Sequence, residues 1–124
     1  MRPVRILLVE DNEVFRDALE LLLGMRTDVE IVASVGDGAA AVSAAVEHRP
    51  DVVLMDYRMP GMDGIQATTQ VVEALPGVAV VALTASADAA ERVALVEAGA
   101  VACLTKDQEL EEIVAAILDA AAVA

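Results

Sequence analysis

Five short runs of apolar residues recur along the chain, at about residues 4–9, 29–35, 52–55, 78–83 and 101–104. Four of the runs are almost uninterrupted and rich in Val, Leu, Ile and Ala, which is typical of parallel strands buried on both faces. The second run contains Glu30 and Ser34, and this interruption predicts a strand at the edge of a sheet.

The segments between these runs have helical periodicity. From Phe15 to Leu22, apolar residues recur at i, i+3, i+4 and i+7, which predicts a helix with one buried face. Asp11 or Asn12 can cap this helix, and Gly24 lies near its end. Further helices are predicted from the turn at 36–38 to residue 47, at about 65–75, from a cap at residue 88 to residue 99, and at about 108–121. The alternation predicts an α/β fold: a (βα)5 doubly wound parallel five-stranded sheet with strand order 2-1-3-4-5.

Composition narrows the class of protein. The 124 residues are enough for one domain, expected over residues 1–124, with a core that needs no disulfide or structural metal. A formal net charge of −13 disfavours binding of nucleic acid or an anionic membrane by this chain. One Cys, no long apolar run and no signal-peptide pattern at the N-terminus together predict a cytoplasmic protein.

Polar side chains with related chemistry follow four of the predicted strands. Glu10 and Asp11 follow the first, Asp56 the third, Thr84 the fourth and Lys106 the fifth. The carboxyl ends of parallel strands meet at one edge of the sheet, where such folds bind ligands. Three carboxylates brought together repel one another unless a cation lies among them, and all-oxygen ligation suits Mg²⁺. The set therefore predicts a site for a divalent cation and a phosphoryl group.

Four motifs resemble those of the receiver domains of two-component response regulators, and the resemblance extends over the whole chain. The motifs are LVEDN at 8–12, DYRMPGMDG at 56–64, LTA at 83–85 and LTK at 104–106.

The resemblance implies the roles of the site residues. Asp56 would be the nucleophile that accepts a phosphoryl group from the phosphohistidine of a sensor histidine kinase. Asp56 and Asp11 would bind Mg²⁺ directly, Glu10 would bind it through water, and the Arg58 backbone carbonyl would be a further ligand. Lys106 and the Thr84 hydroxyl would contact the phosphoryl oxygens. Such a domain catalyses its own phosphorylation and dephosphorylation and turns over no external metabolite.

The chain departs from the family pattern at two positions. Receivers usually carry Tyr or Phe three residues before the conserved Lys, where this chain has Cys103, so the usual coupling to the face formed by helix 4, strand 5 and helix 5 is in question. We expect Cys103 to be a small apolar packing residue. Asp107 follows Lys106, as in the NarL-type branch, whose members usually append a DNA-binding domain. The resemblance thus implies transcription regulation through an output domain beyond this chain.

Other interpretations use the same residues. A phosphorylation-independent interaction module on the same fold is the main alternative. A haloacid-dehalogenase-type phosphatase would carry a second Asp where this chain has Arg58, and a flavin-binding module would need a phosphate loop after the first strand. The apolar last helix, with Ile113, Val114, Ile117 and Leu118, packs on the core or, together with the first helix, forms a homodimer face.

Overall fold

The computed structural model describes residues 2–59, 62–85 and 88–123, in which five strands alternate with five helices. The strands are β1 (Val4–Val9), β2 (Val29–Val35), β3 (Val52–Asp56), β4 (Ala79–Thr84) and β5 (Ala100–Thr105). The helices are α1 (Glu13–Gly24), α2 (Gly38–His48), α3 (Gly64–Ala74), α4 (Ala89–Ala98) and α5 (Leu110–Val123). Among these residues no helix has the length and apolar character needed to cross a bilayer.

The strands form one parallel sheet in the order β2-β1-β3-β4-β5, which confirms the predicted fold class and topology. The chain leaves β1 in one direction for β2 and then crosses back to β3, so the order reverses between β1 and β3. This switch point opens a crevice at the carboxyl ends of the two strands. β2 is an edge strand, as its polar residues predicted.

The alternating side chains of the sheet build two separate apolar layers. On one face, Ile6, Leu54 and Leu83 pack with α1 and with the buried face of α5, formed by Ile113, Val114 and Ile117. On the other face, Leu7, Val53, Met55, Val80 and Ala82 pack with small residues of α2 and α3 and with Leu95 of α4. Both faces of β3 and β4 are covered, which accounts for their uninterrupted apolar sequence.

Side-chain caps begin four of the helices. Asn12, rather than Asp11, caps α1, because its Oδ1 accepts a hydrogen bond from the Phe15 amide at 3.0 Å. Asp37, Asp63 and Asp88 do the same for α2, α3 and α4. With Asn12 as the cap, the carboxylate of Asp11 is not used to begin the helix.

The observed ends of the elements differ from the predicted ones by one or two residues. The largest difference is at α5, which begins at Leu110 instead of residue 108, because the Gln108 side chain turns back and accepts a hydrogen bond from the Thr105 amide at 2.9 Å. In α4, Leu95 is buried, whereas Val93 and Val96 are each 57% exposed. Pro60, Gly61, Ser86 and Ala87, which belong to the predicted loops after β3 and β4, lie outside the described residues.

The loop after β3 returns to the end of that strand at Gly64. The Gly64 amide donates a hydrogen bond to the Tyr57 carbonyl at 2.7 Å. A Cβ atom at Gly64 would lie 2.5 Å from the carbonyl oxygen of Asp56 and 2.7 Å from the Cα of Tyr57. Such distances leave room for hydrogen only, so the start of α3 packs directly on the backbone that carries Asp56.

Candidate functional site

Three acidic side chains meet at the switch point between β1 and β3. Glu10 and Asp11 follow β1, and Asp56 is the last residue of β3, next to β1 in the sheet. One carboxylate oxygen from each of the three lies within 4.8 Å of the other two. Glu10 and Asp56 are buried and Asp11 is exposed, so the cluster opens to solvent on one side. The structure thus brings together the three carboxylates that the sequence predicted as neighbours.

Lys106, directly after β5, points its ammonium into this cluster. Its Nζ lies 2.7 Å from Oε1 of Glu10 and 3.3 Å from Oδ1 of Asp56. Burial lowers the pKa of Lys106, but its hydrogen bonds and charge pairing with Glu10 and Asp56 outweigh burial and raise the pKa above its ordinary value. Lys106 is therefore a cation at any physiological pH, fixed beside the acidic cluster.

Asp56 carries the strongest electrostatic perturbation at this site. Burial, followed by the neighbouring carboxyl groups of Glu10 and Asp11, raises the pKa of Asp56 to about 8, and the charge of Lys106 offsets this only in part. Its Oδ2 is buried and has no hydrogen-bond partner among the described residues. A buried, unpartnered carboxylate oxygen facing two other acids fits a divalent cation, which would replace the missing partner and remove the repulsion.

Thr84 is buried at the end of β4, between the strands that carry Asp56 and Lys106. Its carbonyl accepts a hydrogen bond from the Lys106 amide at 2.7 Å, which fixes the backbone of the two residues relative to each other. The four strand ends that the sequence singled out therefore lie along one edge of the sheet, and the role of the Thr84 hydroxyl stays a prediction.

Arg58 takes part in a contact that the sequence did not predict. Its guanidinium Nη2 lies 3.0 Å from Oε1 of Glu91, in the first turn of α4. This ion pair connects the loop after Asp56 to α4. The Glu91 side chain is only 14% exposed, so its carboxylate is largely shielded from solvent. The ligand role of the Arg58 backbone carbonyl stays a prediction.

Three further residues contact Glu10 or Lys106. The sequence analysis gave these residues only structural roles or none. The Asn12 amide donates to Oε2 of Glu10 at 3.1 Å, and Arg16 donates from Nη1 to the Glu10 carbonyl at 3.0 Å. The ring of Phe15 lies 4.9 Å, measured to its centroid, from Nζ of Lys106. All three lie within six residues of Glu10, and this proximity to the acidic motif was the available signal.

Cys103 occupies the position where the family pattern has an aromatic residue. It is half-buried and packs against the apolar layer covered by α2, α3 and α4. Burial raises the pKa of the Cys103 thiol, which disfavours the reactive thiolate. These properties agree with the predicted role as a small packing residue.

The fold and the site define a class: a doubly wound α/β domain with an acidic, cation-compatible site and a Lys ammonium at its switch point. The sequence model of the response regulator receiver domain matches residues 6–118. The chain belongs to this family, the receiver domains of two-component response regulators.

Individual relatives agree with this assignment. The chain is 40% identical over 114 residues to the transcriptional regulatory protein LiaR of Bacillus subtilis, a match that covers 92% of this chain and 54% of LiaR. It is 37% identical over 118 residues to the probable transcriptional regulatory protein NarL of Mycobacterium tuberculosis, covering 95% and 55% of the two chains. Among solved structures, the signal receiver domain of the M. tuberculosis NarL superposes with a TM-score of 0.92 at 36% identity and covers 98% of both chains.

The chain spans about half the length of the transcriptional regulators that it matches. The same domain type is also found in an enzyme: a protein-glutamate methylesterase/protein-glutamine glutaminase of Nitrosospira multiformis is 37% identical over 106 residues, which are 30% of its length. Family membership thus defines the domain, and the activity of a longer protein would depend on what accompanies it.

Proposed function

We propose that this domain accepts a phosphoryl group on Asp56 from the phosphohistidine of a sensor histidine kinase, in a reaction that requires Mg²⁺. The observation that carries the proposal is the convergence of Glu10, Asp11 and Asp56 within 4.8 Å, with the Lys106 ammonium 2.7 and 3.3 Å from two of them. This arrangement combines a buried nucleophilic carboxylate, a cation site and a fixed positive charge.

In the proposed reaction an Asp56 carboxylate oxygen attacks phosphorus. The new oxygen–phosphorus bond forms as the phosphorus–nitrogen bond to the histidine breaks, and the electron pair of that bond stays on the imidazole. The Lys106 ammonium, held beside Asp56, would stabilise negative charge on the phosphoryl oxygens, and the Thr84 hydroxyl would donate a hydrogen bond to one of them. The attacking carboxylate must be ionised, and Lys106 favours that form.

The cation would be held by Asp11 and Asp56 directly, by Glu10 through water and by the Arg58 carbonyl. Mg²⁺ bound there would supply positive charge, which favours the ionised form of Asp56 and offsets the charge of the phosphoryl group. The donor set supports this choice because it consists of oxygen atoms and is open to solvent at Asp11.

We further propose that phosphorylation controls transcription through an output domain beyond this chain, in a cytoplasmic protein. Two of the curated relatives described above are named as transcriptional regulators, and this chain matches about half of each. The domain itself would catalyse only its own phosphorylation and dephosphorylation.

A homodimer that forms on phosphorylation belongs to the same proposal. In α5, Ile113, Val114 and Ile117 are buried in the core, so this helix contributes less apolar surface than its sequence suggested. In α1, Val14 and Leu21 are 81% and 68% exposed. The dimer face would therefore rely mainly on α1. Sedimentation of the phosphorylated protein tests this, and a monomer at high concentration would contradict it.

The direct test of phosphoacceptance is intact mass after incubation with acetyl phosphate and Mg²⁺, with and without EDTA. We expect wild type to gain one phosphoryl group only when Mg²⁺ is available, and Asp56→Asn to gain none. Asp119→Asn, at an exposed acid of α5, is the control and should behave as wild type. Absence of any gain in folded, Mg²⁺-binding wild type, also with a kinase partner, would favour the phosphorylation-independent interaction module.

A further inference from the structure

Phe15 and Lys106 form a contact between α1 and the acidic site. The Lys106 Nζ lies 4.9 Å from the centroid of the Phe15 ring, over its face. This distance is within the range in which the negative face of an aromatic ring attracts a cation. Phe15 is the only Phe in the chain, and the chain has no Trp.

The Lys106 ammonium is surrounded by charged and apolar groups and is largely shielded from water. Glu10 Oε1 and Asp56 Oδ1 lie 2.7 and 3.3 Å from Nζ, so the cation is held by two carboxylates and one ring. The Lys106 side chain is 21% exposed. Because most of the side chain is shielded from water, the attraction of the ring is less screened than at an open surface.

The surroundings of the Lys106 stem show what the ring prevents. Phe15 and Lys106 line a groove of about 120 Å³ between α1 and the start of α5, and its other walls include Leu22, Leu110 and Ile113. The apolar walls suit the methylene groups of the lysine but offer the ammonium no counter-charge. With an aliphatic side chain at position 15, the ammonium would lose one of its three attractive neighbours and gain room in this groove.

The position of Phe15 is fixed by two contacts that do not involve Lys106. Its backbone amide donates to the Asn12 cap, and its side chain packs on the apolar layer covered by α1 and α5. A ring held at the first turn of α1 is therefore a rigid support for the flexible lysine.

We propose that Phe15 is a positioning residue for phosphoryl transfer, because its ring holds the Lys106 ammonium beside Asp56. This inference rests on the proposed function, since it assigns Phe15 to the same site. Phe15 contacts no reacting atom in this scheme and acts through Lys106.

The test compares wild type with Phe15→Leu, Phe15→Tyr and Leu22→Ala. Phe15→Leu keeps an apolar side chain but removes the ring, and Phe15→Tyr keeps the ring. Leu22→Ala removes side-chain volume from another wall of the same groove and leaves Phe15 in place. Circular dichroism and urea unfolding establish that each variant is folded under the conditions used.

Two quantities are measured on each protein. The first is the rate of phosphorylation by acetyl phosphate in saturating Mg²⁺. The second is the proton shift of the Lys106 ε-methylene group, which we expect the ring current of Phe15 to move upfield in the unphosphorylated protein. A role in packing alone would not reproduce the ring dependence of both quantities.

We expect Phe15→Leu to slow phosphorylation by about 2- to 5-fold, the value that a partly shielded cation–π contact implies. The Lys106 signal should move to its ordinary position in this variant. Phe15→Tyr should restore both the rate and the shift, and Leu22→Ala should keep both.

Several outcomes would overturn the inference. These are a wild-type rate in Phe15→Leu, an equal loss of rate in Leu22→Ala, or an ordinary Lys106 shift in wild type. If wild type gains no phosphoryl group, the proposed function fails, and the positioning role in transfer fails with it. A ring-dependent Lys106 shift would then still establish the Phe15 contact separately.

Discussion

The ammonium of Lys106 lies 2.7 Å from Oε1 of Glu10, a shorter distance than the 3.3 Å that separates it from Asp56. Both carboxyl groups are buried, so the ammonium lies between two acidic groups rather than beside one. A divalent cation bound among the acids would balance part of their negative charge. The ammonium would then be available to a phosphoryl group on Asp56.

Replacement of Lys106 by Met tests this charge balance. Lys106→Met keeps most of the length of the side chain but removes the ammonium beside Glu10, and we expect a loss of about 1–3 kcal/mol in the free energy of unfolding without metal. Mg²⁺ should stabilise this variant more than wild type, because the metal supplies the missing charge and meets no competing ammonium.

Urea unfolding with EDTA and with Mg²⁺ measures both effects. Lys106→Arg is the control, because it keeps a positive charge at the same position. Equal stabilisation of Lys106→Met and wild type by Mg²⁺ would contradict the competition between the ammonium and the metal.

The raised pKa of Asp56 predicts a pH dependence of stability. The pKa is about 8 in the folded protein against an ordinary value of 3.8, so the folded state binds more protons than the unfolded state between these values. The stabilisation is therefore fully present below about pH 4 and is lost as the pH rises towards 8, with a slope of at most about 1.4 kcal/mol per pH unit.

The measurement is the free energy of unfolding in EDTA at a series of pH values, for wild type and for Asp56→Asn. The difference between the two proteins isolates the titration of Asp56, since Asn does not ionise. We expect wild type to lose stability relative to the variant as the pH rises. A constant difference, or a wild type that gains stability relative to the variant as the pH rises, would contradict the raised pKa of Asp56.

Asp11 is the exposed member of the acidic cluster, and its removal separates metal binding from folding. Asp11→Asn should weaken Mg²⁺ binding by about 10- to 100-fold through loss of a charged ligand. This range is the loss of affinity that substitutions around a metal site typically cause. Without metal, the same variant should be at least as stable as wild type, because the repulsion of Asp11 on Asp56 is gone.

Calorimetric titration with Mg²⁺ and urea unfolding in EDTA are the two measurements. Glu13→Gln removes a charge from the first turn of α1, close to Asp11 in sequence, and serves as the control. A similar loss of Mg²⁺ affinity in both variants would indicate a general effect of charge, not ligation by Asp11.

The close approach of Gly64 to the backbone of Asp56 predicts a strong effect of one methyl group. In Gly64→Ala the new Cβ would lie 2.5 Å from the Asp56 carbonyl oxygen, so the loop must shift, at a cost of about 1–3 kcal/mol. Phosphorylation should slow as well, because the shift begins at the residue that carries the nucleophile.

Gly77→Ala is the matched control, since a Cβ at that position would have no heavy atom within 4 Å. We expect its stability to change by less than about 0.5 kcal/mol. The measurement is the free energy of unfolding of the two variants, by heat or urea. Equal effects would mean that the crowding at Gly64 is relieved without cost.

Much of the fold followed from the sequence because burial on both faces leaves a clear pattern. Residues 6–9 of β1, 52–55 of β3 and 79–83 of β4 are continuous apolar runs, and the polar residue after each run marks the carboxyl end of a strand. Parallel strands bring those ends to one edge, so Glu10, Asp56 and Thr84 could be predicted as neighbours without coordinates. The sheet order was predicted as the one common to doubly wound folds of this architecture.

Other contacts depend on side-chain geometry that a pattern does not contain. The periodicity of α1 placed Phe15 on the buried stripe, but the direction of its ring towards Lys106 depends on the helix angle and the rotamer. The choice of Asn12 over Asp11 as cap depends on a backbone angle. The pairing of Arg58 with Glu91 joins positions 33 residues apart, and neither residue follows an apolar run.

Tyr57 directly follows Asp56, and its backbone amide donates to the carbonyl of Leu83, one residue before Thr84. The chain has no Trp and no second Tyr, so one phenol ring supplies all of its tyrosine emission. That ring is half-buried and packs against the apolar layer covered by α2, α3 and α4. Its residue directly follows Asp56, where entry of a divalent cation or a phosphoryl group would change the local charge. The unlabelled protein therefore contains a single tyrosine fluorophore next to Asp56 in the chain, and we expect its emission to respond to metal binding or phosphorylation there.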